Sequence, residues 1–410
     1  MKIAKKQLIL VLTTLLVAIL AGASHADTPF QSVHELVEKE LAVKQYSGVV
    51  TLVALDGKIV HFEAQGQSDI EGSRPMAKDA IFRLASMSKV ITAVAALILV
   101  DENKISLTDP VSKFLPEFKD LKVAMMEQGQ PKGEYKLVPA ERPITVRDLL
   151  THTSGLGSGP VSLAAIAKEP QQPGDNLATV TARLPHAPLD FQPGTRWAYS
   201  GLAGFDTLGR IVEVVSGKSL EQFLKERIFQ PLGMTDTTFA PTSAQRSRLV
   251  TLYTRDKGQL VKSPIQNLLV DPVCYHGAGG LVGTAEDYYR FAQMLANGGE
   301  YKGRRILSKS LSERLAAPEI APGLAGLPPG YGWGLSVRYI ANGTATGSLL
   351  STGSYGWSGA WGTHFWIDPS KKLVAIYMAN ETSAGGAGAA SARDFEAAVM
   401  KSLANTSKAP

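Results

Sequence analysis

Phe82-Arg83-Leu84-Ala85-Ser86-Met87-Ser88-Lys89, continued by Val90-Ile91-Thr92-Ala93-Val94-Ala95-Ala96-Leu97-Ile98-Leu99-Val100, joins a strand-rich segment to the most apolar helical pattern of the sequence. Met87, Val90, Ile91, Val94 and Ile98 recur at helical spacing, and Ala93, Ala95, Ala96 and Leu97 make the other face apolar as well. A helix apolar all round is buried in a core. Its one ionisable group, Lys89, stands near its start and shares a face with Ser86. A serine hydroxyl is a poor nucleophile at neutral pH and needs a base within hydrogen-bond reach. Lys89 points back over Ser86, and the helix N-terminus adds N–H groups and a positive dipole end. Burial pushes a lysine towards the neutral amine that can accept a proton. The competing reading is an N-cap serine followed by an ordinary helical lysine. About one or two Ser-x-x-Lys patterns arise by chance in a chain of this length, and Ser86 begins the only one here.

Outward from this helix, residues 49–55 and 58–64 are β-rich runs separated by Asp56-Gly57, which predicts a hairpin with a tight two-residue turn. Before them, Val33, Leu36, Val37, Leu41 and Val43 predict an amphipathic helix over 31–45. After the apolar helix, helical patterns at 146–151, 204–216 and 220–229 alternate with Pro/Gly punctuation such as Gln192-Pro193-Gly194. Strand character returns at 334–339, 362–367 and 373–378, and a last helix is predicted over 391–403. Strands at both ends with helices between them imply a discontinuous α/β sheet domain (27–100 and 275–410) around a mainly helical subdomain (101–274), with the active site at their interface.

The 410 residues carry a formal charge of +5, part of it from Lys2, Lys5 and Lys6. Those lysines precede an apolar run from Leu8 to Ala23 and the small-x-small triplet Ser24-His25-Ala26, so residues 1–26 read as a cleaved signal peptide and the mature chain as periplasmic or secreted. A retained anchor is disfavoured, because the run falls short of the roughly 20 residues that span a bilayer. The remaining Lys and Arg are scattered among acids, which argues against a nucleic-acid surface. Cys274 is the only cysteine, so no intramolecular disulfide forms and the thiol is expected to be a small buried hydrophobe.

Several stretches in the same order resemble one family, the serine hydrolases related to class C β-lactamases, β-lactamase-fold esterases and low-molecular-mass penicillin-binding proteins. They are 82–89, Leu107-Thr108-Asp109-Pro110-Val111, the distinctive Thr145-Val146-Arg147-Asp148-Leu149-Leu150-Thr151-His152-Thr153-Ser154-Gly155-Leu156, Gly279-Gly280-Leu281 and Gly330-Tyr331-Gly332-Trp333-Gly334. The resemblance implies an antiparallel sheet flanked by helices, an acyl-enzyme on Ser86, and no cofactor or metal. It makes Tyr199, in Tyr199-Ser200-Gly201, the proton carrier working with Lys89; a buried core tyrosine is the alternative. It places the oxyanion hole at the backbone N–H groups of Ser86 and Ala360, with Trp357, Ser358 and Gly359 along the substrate. Glycine at 359 then lets the strand come close.

Two departures bear on substrate. The family's β-lactamases usually carry Asn where this chain has Gly201, and Lys-Thr-Gly where it has Trp357-Ser358-Gly359. A tryptophan cannot supply the cation that meets a free carboxylate, and relatives with Trp in this place tend to be esterases; Trp357 as an ordinary core aromatic is the alternative. His152, His276 and His364 are candidates for a Ser-His-Asp triad, but no Gly-x-Ser-x-Gly elbow exists. His152 reads as a structural hydrogen-bonder and the other two as pocket-lining. A zinc site is disfavoured by the absence of His-x-x-x-His spacing. The expected function is a carboxylesterase acting on small esters. A β-lactamase, or a D,D-peptidase or D-aminopeptidase acting on amides or cell-wall-derived substrates, is the rival enzyme, and a non-catalytic penicillin-binding or sensor module the rival of another class.

Overall fold

The computed structural model describes residues 30–125, 134–267, 270, 273–321 and 323–406; the segment read as a signal peptide lies outside them. Helix α1 (Gln31–Ala42) leads into strands β1 (Gly48–Leu55) and β2 (Lys58–Asp69). Asp56 (φ 47°) and Gly57 (φ 74°) both adopt the left-handed conformation that a two-residue hairpin turn needs. After the edge strand β3 (Arg74–Pro75) come the buried helix α2 (Ser88–Asp101), then α3 (Val146–Leu150), α4 (Ala203–Ser216) and α5 (Ala285–Ala296). The C-terminal part supplies β4 (Tyr331–Trp333), β5 (Arg338–Ile340), β6 (Tyr355–Ser358), β7 (Thr363–Asp368), β8 (Leu373–Met378) and helix α6 (Ala390–Thr406).

These strands form one sheet in the order β4-β5-β6-β7-β8-β1-β2-β3. The chain's two ends meet where β1 pairs antiparallel with β8, Val50 opposite Met378. Alternation along β1 then sorts its side chains. Val50, Leu52 and Ala54 join the core around α2, while Val49 and Val53 join a second cluster with Val33 and Val37 of α1 and Phe395 and Val399 of α6. The sheet is therefore covered by helices on both faces, and the cluster around α2 runs on through Phe205 and Leu208 of α4 without a break.

One expectation needs correction. Residues 334–339 are not one strand, because the Gly334 N–H bonds to the Val337 carbonyl and Ser336 takes φ 87°, so 334–337 form the turn between β4 and β5 and only 338–339 belong to a strand. A Cβ at Gly334 would lie 2.0 Å from the Leu315 carbonyl, which shows how closely another segment crosses there. The region read as mainly helical also holds two hairpins, Lys122–Met125 with Lys136–Pro139 and Tyr253–Asp256 with Gln259–Lys262. Their strands are short and mostly exposed, so no apolar alternation marks them in the sequence. Cys274 is buried, as its type suggested.

Candidate active site

Ser86 lies in a short 3-10 turn, Ala85–Met87, immediately before α2 rather than inside it. Ala85 is held at φ 45°, a left-handed value for a residue with a Cβ, and this bend leaves Ser86 part-exposed at the head of a buried helix. Lys89, only 1% exposed, places its Nζ 3.2 Å from Ser86 Oγ. The same Nζ donates to the Gly201 carbonyl at 2.6 Å and the Ala278 carbonyl at 2.7 Å. An ammonium would fill these three contacts with three donors. A neutral amine would give its two hydrogens to the carbonyls and turn its lone pair to the Ser86 hydroxyl. The site accommodates both states that a proton shuttle passes through.

Tyr199 arrives from a loop whose position is set by the distinctive 145–156 stretch. Thr145 caps α3, accepting from the Asp148 N–H, while the Asp148 carboxylate accepts from the Thr145 N–H at 2.8 Å and from Arg142 at 2.6 Å. Burial would push the Asp148 carboxyl upwards, but Arg142 and Thr145 hold it below the usual carboxylate range. The chain then turns at His152, whose φ of 55° directs the imidazole beneath Tyr199, with ring centroids 4.5 Å apart. His152 Nδ1 accepts from the Ser200 N–H at 3.1 Å. Burial, with Lys89 nearby, drives the ring's pKa well down, so it stays neutral. His152 thus positions Tyr199 through its neighbour and is the structural hydrogen-bonder expected. Lys89 Nζ sits 5.1 Å from the centre of the Tyr199 ring.

On the opposite wall, β6 ends against the nucleophile's turn. A Cβ at Gly359 would lie 2.4 Å from the Leu84 carbonyl and 2.2 Å from Thr363 Oγ1, so only glycine allows this approach. The next residue, Ala360, is exposed. Trp357 is 8% exposed and belongs to the core, yet its indole Nε1 donates to the Tyr199 hydroxyl oxygen at 3.2 Å. Trp357 is thereby a partner of Tyr199 and offers little open wall.

Ser358 requires a correction. Consecutive strand residues face opposite sides of a sheet, and with Trp357 on the α2 side, Ser358 faces α6. There its hydroxyl meets His364 Nδ1 at 2.7 Å, and His364 Nε2 lies 3.1 Å from Glu396 of α6. Neither Ser358 nor His364 reaches the Ser86 side.

Sequence reasoning missed Asp206. Its carboxylate lies 2.9 Å from His276 Nδ1 and accepts from the Ala278 N–H at 3.0 Å. It therefore anchors the residue whose carbonyl grips Lys89. Burial works against charge on His276, but Asp206 and its hydrogen bond lift the imidazole to about 10, so the pair is ionised. The one sequence signal was an Asp within the apolar face of α4, at 2% exposure. Among the described residues, no cluster of three His, Cys, Asp or Glu could hold a metal, and no helix is long and apolar enough to cross a membrane.

A helix-headed Ser-Lys pair between an antiparallel sheet and a helical lobe defines a serine hydrolase of the β-lactamase and penicillin-binding-protein fold. The family model described as Beta-lactamase matches residues 33–399, and the chain belongs to that family. An uncharacterised Mycobacterium tuberculosis protein, MT1414, is 35% identical over 81% of this chain and 85% of its own. Esterase EstB of Burkholderia gladioli is 29% identical over 86% of this chain and 90% of its own. Among solved structures, EstCE1, described as a hydrolase with promiscuous acyltransferase activity, superposes with a TM-score of 0.78 at 23% identity, covering 92% of this chain and all of that one (100%).

Proposed function

We propose that this protein is an exported carboxylesterase that hydrolyses small uncharged esters through an acyl-enzyme on Ser86. The observation that carries the reading is the Lys89 Nζ, buried, 3.2 Å from Ser86 Oγ and bound on its other sides by two carbonyls. In acylation, Ser86 Oγ attacks the ester carbonyl carbon as its proton passes to the neutral Lys89 amine. The negative oxygen forms against the backbone N–H groups of Ser86 and Ala360. Collapse breaks the bond to the alkoxide, which leaves as the alcohol with a proton delivered through Tyr199. Water then adds to the Ser86 ester with the proton steps reversed, releasing the carboxylic acid.

Two features favour an ester over a β-lactam or a peptide carboxylate. Position 357 offers an indole whose one N–H is engaged with Tyr199, so this position itself supplies no cation to a substrate carboxylate. The likeness to EstB runs along most of both chains. Export rests on the lysines and apolar run of residues 1–26.

The test compares kcat/KM on p-nitrophenyl acetate and on a chromogenic cephalosporin for the wild type and for Ser86→Ala. Ester hydrolysis that is faster than cephalosporin turnover and lost in Ser86→Ala, together with loss of fluorophosphonate labelling, supports the reading. Labelling that persists in Ser86→Ala moves the nucleophile elsewhere. Recovery from the periplasm or medium of a chain beginning at Asp27 supports export.

A further inference from the structure

A cavity of about 300 Å³ opens behind the Tyr199-Ser200-Gly201 turn, between α4 and the helical segments Pro160–Ile166 and Leu177–Arg183. Its lining is mostly apolar, with Ile166 and Leu184 inside it and Leu163 and Leu202 standing 52% and 45% exposed at its edge. Gly201 belongs to this lining, and the Gly201 carbonyl holds Lys89 Nζ. The cavity is thus separated from the Ser86–Lys89 pair by one peptide group. A Cβ at Gly201 would meet nothing within 4 Å, so this position at the cavity's edge has room for a side chain.

The charges in the lining say what the cavity accepts. Arg183 pairs with Asp175 at 2.6 Å, Glu169 with His186 at 2.9 Å, and His276 with Asp206 at 2.9 Å. The remaining His276 nitrogen is taken by Gln171 at 3.1 Å. Every charged side chain of the lining therefore has a partner within the protein, and no free cation or anion faces an occupant. The size lies at the low end for ligand pockets.

We propose that this cavity binds the acyl chain of the substrate, and that the chain is an uncharged aliphatic one of several carbons. The proposal rests on the acyl-enzyme reading given above. On that reading the departing alcohol must face Tyr199, beside which Trp357 stands. The acyl group held on Ser86 then extends past Gly201, into the mostly apolar cavity that shares Gly201 with Lys89's cradle.

The test uses the full chain with p-nitrophenyl acetate, butanoate and hexanoate, a p-nitrophenyl ester of the same length ending in a carboxylate, and acetate esters of methyl to hexyl alcohols. Wild-type kcat/KM should rise about fourfold for each methylene that the cavity buries, and the terminal carboxylate should remove that gain. Ile166→Trp fills the cavity, and Gly201→Val narrows its mouth at a position with room for a side chain. Both should lower the hexanoate-to-acetate ratio at least tenfold and leave the ranking of the alcohols as it was. Melting curves establish that each variant is folded. A ratio unchanged in either folded variant, or a change confined to the alcohol series, overturns the proposal. If hydrolysis survives Ser86→Ala, the acyl-enzyme reading itself has failed. If it depends on Ser86 while acyl ranking ignores both cavity variants, only the cavity assignment has.

Discussion

Replacing Trp357 by Phe removes one N–H and keeps an aromatic ring of similar placement, which isolates the 3.2 Å hydrogen bond to the Tyr199 oxygen. If Tyr199 gains negative charge as it gives its proton to the departing alkoxide in the transition state, this donor strengthens there, because hydrogen bonds to charged groups contribute about 1.5–3 kcal/mol against about 1 kcal/mol for neutral pairs. The difference, about 0.5–2 kcal/mol, corresponds to roughly a two- to thirtyfold fall in kcat with little change in KM. Trp357 also packs on Tyr199 (5.2 Å between centroids) and edge-on to Trp333 (4.7 Å), so a loss from repacking must be separated from loss of the hydrogen bond. A double-mutant cycle separates the two. In a Tyr199→Phe background the hydrogen bond is already gone, so Trp357→Phe should cost nothing further in kcat, whereas a packing effect would persist. The assay is steady-state hydrolysis of p-nitrophenyl acetate by the four enzymes, with melting temperatures measured alongside. A Trp357→Phe enzyme at wild-type kcat, or an equal loss in both backgrounds, would refute the view that the indole acts through Tyr199.

The remaining predictions concern the scaffold. Gly359→Ala drives a Cβ to within 2.4 Å of the Leu84 carbonyl, so it should displace the strand end that leads to Ala360 and, if the Ala360 N–H meets the oxyanion, lower kcat at least about tenfold, read on the same ester. His152→Leu leaves the Ser200 N–H buried without its acceptor and should cost about 1–3 kcal/mol in chemical denaturation. His152 is kept neutral in the fold while the unfolded ring protonates near 6.5, so its contribution is present above that pH and is lost as the pH falls below it; His152→Leu should show a shallower acid limb of stability. His276 has the opposite sign. Its folded value is raised to about 10, so its contribution is full below 6.5 and is lost as pH rises through about 10, and Asp206→Asn should flatten that alkaline loss in a plot of melting temperature against pH.

What the sequence determined by itself is what short spacing controls. Ser86 and Lys89 stand one turn apart in any helical conformation, Asp56-Gly57 closes a hairpin wherever it occurs, and the Thr145/Asp148 cap needs only its own turn. The apolar character of 90–100, interrupted only by Thr92, likewise required burial on every side, whatever its neighbours. Contacts between distant segments had no such local signature. Asp206 meets Ala278 across 72 positions and Trp357 meets Tyr199 across 158, and neither pairing leaves a periodic trace in the chain. The facing of Ser358 is the plainest case, because motif position placed it along the substrate, while the pleat of β6 and the docking of α6 turned its hydroxyl to His364 and Glu396. A strand offers two faces that its own residues alone do not label as site and support. Which face looks on Ser86 was decided when β6 paired with β7 and α2 packed against one side of the sheet, a choice made by burial summed over the whole core.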